Sequence, residues 1–198
     1  MSDESKFTLF FNCKRRLYVR RRPKEAYSPE CVQPTVKFGG KGVMVWGCFS
    51  RNGVGVLHRI PGVMTQDVYL DLLQNVGLPS AMSLRGLDYI FQQDNDPKHT
   101  ASKVKYFFDN SSEFGFPEFT AMDWPSQSPD LNPIEHLWDE VERRLRKLPV
   151  RITSPDALFG HLRQAWSSIE ADVCERLVGS MPERVRQVIA NKGGATSY

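Results

Sequence analysis

Two apolar, β-branched runs, Val43 to Phe49 and Val54 to Ile60, flank the dipeptide Asn52-Gly53. Asn-Gly between such runs is the strongest short-range hairpin signal, because both residues tolerate the positive φ that a tight turn demands. The spacing therefore predicts two antiparallel strands, and whatever surrounds them has to be arranged around that hairpin. A third strand is expected earlier, over Lys6 to Phe11, where β-formers cluster.

After the hairpin the periodicity changes. Thr65 can cap a helix whose apolar positions Val68, Tyr69, Leu72, Leu73 and Val76 share one face, ending before Gly77-Leu78-Pro79. A short strand, Tyr89 to Gln93, then leads into Asp94. Thr100 to Asp109 reads as a helix with Val104, Phe107 and Phe108 facing inward, and Phe119 to Met122 as a strand. The order is β, β, β, α, β, α, β, α, with further helices to the C-terminus. A three-strand meander followed by βαβ units gives an α/β chain with a mixed sheet flanked by helices, the layout of a ribonuclease H-like domain. With 198 residues and 40% apolar content, one such core is what the chain can bury.

The formal net charge of +3 permits a nucleic-acid partner without requiring one. Its distribution says more. Lys14, Arg15, Arg16, Arg20, Arg21, Arg22 and Lys24 lie within eleven residues, spaced by Leu17, Tyr18 and Val19. Such a run is either a solvated face or an arm that contacts DNA phosphates, whose geometry matches the arginine fork. It is also compatible with a nuclear address. The segment around it, Asn12 to Gly42, is punctuated by Pro23, Pro29, Pro34, Gly39 and Gly40 and reads as a long excursion. Cys13, Cys31, Cys48 and Cys174 follow no metal-ligand or disulfide rhythm. No run approaches the length of a membrane span, so no membrane partner is expected.

The segment at Pro133 has the best-marked helix start in the chain. Asn132 is a preferred N-cap, Pro133 a favoured first helical residue, and Ile134, Leu137, Trp138, Val141 and Leu145 form an apolar stripe. Glu135 falls at the third helical position, where a capping-box carboxylate also belongs. Spacing alone leaves Glu135 as either a cap or a ligand. Arg143, Arg144, Arg146 and Lys147 suit the negative end of the helix.

Four stretches carry a resemblance: SDESKF (2 to 7), PTVKFGGKGVMVWGCFS (34 to 50), FQQDNDPKHTA (91 to 101) and WPSQSPDLNPIEHLWDEVERR (124 to 144). Together they resemble the mariner-like transposases of the DDE superfamily, and the similarity continues into MPERVRQVIANKGGATSY. The resemblance implies a trio of catalytic, metal-binding carboxylates: Asp3 on the first strand, Asp94 after QQ, and Glu135 of NPIE. Against it, Glu135 reads as a metal ligand. Lys98 and His99 become candidates to orient water or phosphate and to contact DNA.

The implied chemistry is phosphodiester breakage and joining. Hard carboxylate oxygens suit two Mg²⁺ or Mn²⁺ ions, which can activate an attacking oxygen and stabilise a leaving one. The implied partners are double-stranded DNA, both transposon ends and target, and a second copy of the chain in a homodimeric DNA complex. The expected location is the nucleus.

Two departures accompany the resemblance. More residues separate Asp94 from Glu135 than that branch usually keeps, and the extra length is expected in the polar stretch Asp109 to Phe116. The paired helix-turn-helix DNA-binding modules of the family are absent before SDESKF, so residues 1 to 198 are expected to be a catalytic domain cut short at its front edge. Asp3, with only Met1 and Ser2 before it, is expected to fray for want of pairing. That leaves two readings open: a transposase catalytic core, or a catalytically impaired, domesticated DNA-binding or assembly module derived from one.

Overall fold

The computed structural model describes residues 1–9, 42–85, 89–150 and 152–198. The basic run from Lys14 to Lys24, with Cys13 and Cys31, lies outside them. Within the described residues the sheet is organised by β2 (Gly42–Ser50), which pairs antiparallel with β1 (Ser2–Thr8) on one side. On its other side lie β3 (Gly53–Val54) and β4 (His58–Ile60).

The first strand starts four residues before the expected Lys6. Ser2, Asp3, Glu4 and Ser5 are poor β-formers, so propensity hides a strand that tertiary pairing creates. Seven consecutive pairs run from Ser2 opposite Cys48 to Thr8 opposite Gly42. The Phe49 N–H donates to the Met1 carbonyl at 2.9 Å, and the Ser2 N–H donates to the Gln92 carbonyl at 3.1 Å. Asp3 is thus flanked by pairing on both sides, and the shortage of partners expected from the sequence is not found.

The expected strand Val54 to Ile60 is two strands. Phe49 faces Val54 and Trp46 faces His58, so Gly55, Val56 and Leu57 stand against Gly47 and Cys48. This is a β-bulge, one residue longer on the outer strand. Ser80 causes it to persist: its Oγ accepts the Val56 N–H at 2.8 Å, and a Cβ on Gly55 would collide with that oxygen.

The Thr65 cap is present, with Oγ1 accepting the Val68 N–H at 3.3 Å. However, α1 (Gln66–Leu72) does not end before Gly77. It passes through a π turn, Leu73–Gly77, into α2 (Leu78–Arg85). The wider turn, with the Leu78 N–H on the Leu73 carbonyl, falls just before Pro79, which has no N–H to give. Gly77 lets the Trp46 ring close to 3.3 Å of where a Cβ would stand.

The remaining strands are short. β5 (Ile90–Phe91) and β6 (Thr120–Ala121) pair in parallel across α3 (Ser102–Asp109), a βαβ unit beside β1. The polar stretch after α3 forms a 3-10 turn, Ser111–Phe114, between helix and strand. Among the described residues, four further α-helices follow: α4 (Ile134–Arg146), α5 (Pro155–Ser167), α6 (Ala171–Gly179) and α7 (Met181–Ala190).

β2 is covered on both faces, which is why it is apolar almost throughout. Val43, Val45 and Phe49 pack with Leu137, Trp138, Val141, Leu162 and Trp166 of α4 and α5. Trp46 and Cys48, alternating with them, pack with Tyr69, Leu73, Phe91 and Phe107 on the other face. Cys48 and Cys174 are buried free thiols. Among the described residues no helix is long and apolar enough to cross a membrane.

Candidate active site

Strand alternation decides where the first two carboxylates go. Asp3 is opposite Gly47 and Glu4 opposite Trp46, so the two side chains point to opposite faces of the sheet. Asp3 is on the α4 side. The absent side chain at Gly47 leaves room for Trp138 and Trp166, whose rings stack at 4.8 Å with 26° between planes. Trp138 Nε1 then donates to Asp3 Oδ2 at 3.0 Å. Burial pushes the Asp3 carboxyl up to about 7, the charges of Glu4 and Glu135 add to that, and the Trp138 hydrogen bond opposes it.

Glu4 goes to the other face and meets His99. The imidazole is 3% exposed, with Nε2 at 3.1 Å from Glu4 Oε1 and Nδ1 at 2.6 Å from Asp94 Oδ1. Burial alone would lower its basicity, but the bonds to Asp94 and Glu4 outweigh that and raise it to about 9. His99 is therefore a cation bridging two carboxylates, with the Tyr69 ring 4.1 Å from its own. Asp94 is held low, first by the His99 hydrogen bond and then by the Asp96 N–H, which donates to its Oδ1 at 3.0 Å. Lys98 Nζ lies 2.6 Å from Asp96 and 3.2 Å from Glu4. Lys98 and His99 thus face the protein's own carboxylates, and His99 has no exposed nitrogen left for a phosphate.

Glu135 is placed by its helix start. The Asn132 Oδ1 accepts the Ile134 N–H at 3.4 Å, and its carbonyl accepts the Glu135 N–H at 3.2 Å. The Asn132 N–H, the donor a capping-box glutamate would serve, goes to the Pro129 carbonyl at 3.0 Å.

Asp3, Asp94 and Glu135, from a strand, a post-strand loop and a helix, line one cavity of about 360 Å³. Its wall is the loop Trp124 to Pro129, in which Gln127 takes a left-handed φ of 52°. The Asn95 amide ties that loop to the Asp94 segment by donating to the Trp124 carbonyl. Among the described residues no three carboxylate, imidazole or thiol groups already stand at metal-holding distance. Asp94 is drawn toward His99, while half of its side chain is exposed to the cavity.

Sequence reasoning brought forward Asp3, Asp94 and Glu135 but missed Glu4 and Trp138. Both were accessible by periodicity. Glu4 follows Asp3 on the opposite strand face, and Trp138 lies one helical turn beyond Glu135, on the side of α4 that meets β1.

Residues 3–158 match the family model of the DDE superfamily endonuclease. The chain is 45% identical over 197 residues to the transposable element Tc1 transposase of Caenorhabditis elegans, covering 100% of this chain and 69% of that protein. It is 46% identical, with the same coverage, to the Tcb1 transposase of Caenorhabditis briggsae. Its fold matches the Mos1 transposase paired-end complex with left transposon end at a TM-score of 0.76 and 21% identity. That match covers 98% of this chain and 55% of the other, so the chain spans little more than half of the Mos1 protein. Mos1 mariner paired end complexes with Mn and with Mg match at TM-scores of 0.75 and 0.76, with 21% and 20% identity, each covering 99% of this chain and 56% of theirs. A ribonuclease H-like sheet carrying acids in this order, within a chain so similar to Tc1 over its whole length, belongs to the DDE superfamily endonucleases, as a catalytic domain of the Tc1/mariner transposases.

Proposed function

We propose that this domain cleaves and rejoins DNA at transposon ends, with Asp3, Asp94 and Glu135 as the ligands of divalent metal. The observation that carries the reading is their meeting at one cavity from three separate elements. The donor set fits the group. Three carboxylates supply the hard oxygens that Mg²⁺ or Mn²⁺ prefers, with no thiol on the cavity wall to favour a softer ion. Mos1 complexes hold Mg or Mn, which supports the same use here. The bound metal supplies Lewis-acid stabilisation of charge on the oxygens about the reacting phosphorus, and a two-ion arrangement is part of the proposal.

The protein's own residues orient and exclude. His99 and Glu4 fix the back of Asp94, Trp138 fixes Asp3, and the Asn132 corner fixes Glu135. The reaction is displacement at phosphorus. Water forms a new P–O bond as the P–O3′ bond breaks, and the freed 3′-hydroxyl later attacks a target phosphodiester and releases its 3′ oxygen. The basic run Lys14 to Lys24, outside the described residues, is proposed to grip the DNA backbone, which favours phosphate contacts over base reading. A homodimer on DNA, as paired transposon ends would require, and action in the nucleus complete the proposal.

The test is Mn²⁺-dependent nicking of a duplex carrying a transposon end. Asp94→Asn and Glu135→Gln are expected each to lower nicking by at least about a hundredfold, as loss of a metal ligand should. Nicking that persists in both variants at the wild-type rate would refute the assignment.

A further inference from the structure

Arg184 of α7 has 1% of its surface exposed, a rare place for a guanidinium. Its Nε donates to Ser180 Oγ at 3.0 Å and its Nη1 to the Asp130 carbonyl. Nη2 is buried without a hydrogen-bond partner. The Tyr198 ring lies over the group, 4.1 Å from Cζ to its centroid. That aromatic face supplies attraction where hydrogen bonds do not.

The segment carrying Tyr198 is tied down on two sides. On one, Gln187 Oε1 accepts both the N–H and the hydroxyl of Ser197 at 2.9 Å. On the other, the Asp130 carboxylate accepts the Thr196 N–H at 2.8 Å, and the Tyr198 ring meets His136 edge-on at 6.2 Å. Asp130 lies in the turn Pro129–Leu131, and His136 is the residue after Glu135. The contacts therefore bracket the corner from Asn132 to Glu135, before it and behind it.

We propose that Tyr198 and Arg184 are positioning residues for the reaction: stacked together, they latch α7 onto the turn before α4 and hold Glu135 at the cavity. The proposal rests on the reading of Glu135 as a metal ligand. Neither residue touches the cavity, so the latch acts through Asp130 and His136. A carboxylate at the first turn of a helix moves with the cap that precedes it, and ligand supports of this kind set metal affinity.

The test uses the full chain with Mn²⁺ alone as the probe, its affinity measured by calorimetric titration beside the melting temperature. Tyr198→Ala and Arg184→Lys are expected to weaken Mn²⁺ binding by about threefold to tenfold, short of the loss caused by removing a ligand. Tyr198→Phe keeps the stacked face and is expected to retain wild-type affinity. Tyr198 is 41% exposed, so its truncation leaves the core intact even where Arg184→Lys compromises folding. A lowered melting temperature with unchanged Mn²⁺ affinity in Tyr198→Ala would mark a purely structural role and overturn the proposal. Glu135→Gln serves as the reference. Loss of Mn²⁺ there with none in Tyr198→Ala sinks the latch and leaves the site standing, whereas unchanged binding in Glu135→Gln removes the site reading and the latch with it.

Discussion

Trp138 Nε1 donates to Asp3 Oδ2 at 3.0 Å, so the helix that carries Glu135 also holds the carboxylate of the first strand. Trp138→Phe keeps most of the ring and removes the donor. The substitution is expected to cost about 1 to 2 kcal/mol near pH 7, from a lost hydrogen bond whose acceptor is ionised in part. It also moves the Asp3 carboxyl further above about 7, because the bond favours the ionised form. Carboxyl NMR titration of the metal-free protein reads this directly, and a value that falls would contradict it. The sign for stability follows. The native state holds its Asp3 proton to higher pH than the unfolded chain, whose value is near 3.8, so this group's contribution declines as pH rises from about 4 to about 7.

Gly47 faces Asp3 across the pair of strands and leaves the space that Trp138 occupies. A Cβ there would stand 2.8 Å from Trp138 Cη2 and 3.1 Å from Trp166 Cζ2. Gly47→Ala is therefore expected to destabilise the fold by about 1 to 3 kcal/mol through overpacking, and to displace the indole from Asp3. Urea denaturation gives the first number, and the pH dependence of Asp3 reports the second. A neutral substitution would mean that the two tryptophans repack freely.

His99→Gln tests the support of Asp94. Glutamine can keep one hydrogen bond but not both, and it brings no charge between Asp94 and Glu4. Two carboxylates on one face would then lose the cation that separates them. The expected outcome is Mn²⁺ affinity weakened by about tenfold, with nicking reduced at subsaturating metal and largely restored at saturation. No restoration at any metal concentration would point to a role for His99 in the chemistry itself.

Which of these relationships could be read in the sequence follows from where the fold obeys local rules. Asn52-Gly53 and the apolar run of β2 announce a hairpin, and Asn132-Pro133 announces α4 almost to the residue. β1 begins earlier than its composition suggests because Ser2, Asp3 and Glu4 are chosen for the site and for Gln92 rather than for strand propensity. The bulge at Gly55 depends on Ser80, and the π turn on Trp46 as well as on neighbouring Pro79; Ser80 and Trp46 are partners that no window of neighbouring residues contains. The trio of acids was legible only through motif resemblance. Glu4 and Trp138 lie at positions that periodicity could have singled out, but which group each supports is set by the folded geometry.

Cys174 is completely buried, and its thiol is pushed up to about 11, first by burial and then by the charge of Asp172. At pH 8 about one molecule in a thousand carries the thiolate there, against about one in four for a free cysteine. Alkylation at Cys174 is expected to be slow in the native protein, to accelerate as pH rises toward 11, and to become rapid in denaturant. Peptide mapping after timed iodoacetamide treatment measures it site by site. Rapid native labelling at pH 8 would place the thiol in a more open setting.

The π turn at Leu73–Gly77 limits which length changes the first helical rod can take. A π turn carries one residue more than the α-helix it interrupts, and each residue rotates a helix by about 100°. Deleting a single residue between Leu73 and Gly77 would restore a regular helix with its far end in register, whereas deleting two would swing everything beyond it through that angle. Ser80 would leave the Val56 N–H and the Cys48 thiol, and the bulge would lose the oxygen that keeps it open. Viable length changes in this part of the chain should therefore be confined, within the rod, to loss of that one residue and otherwise gather in the turns at its ends.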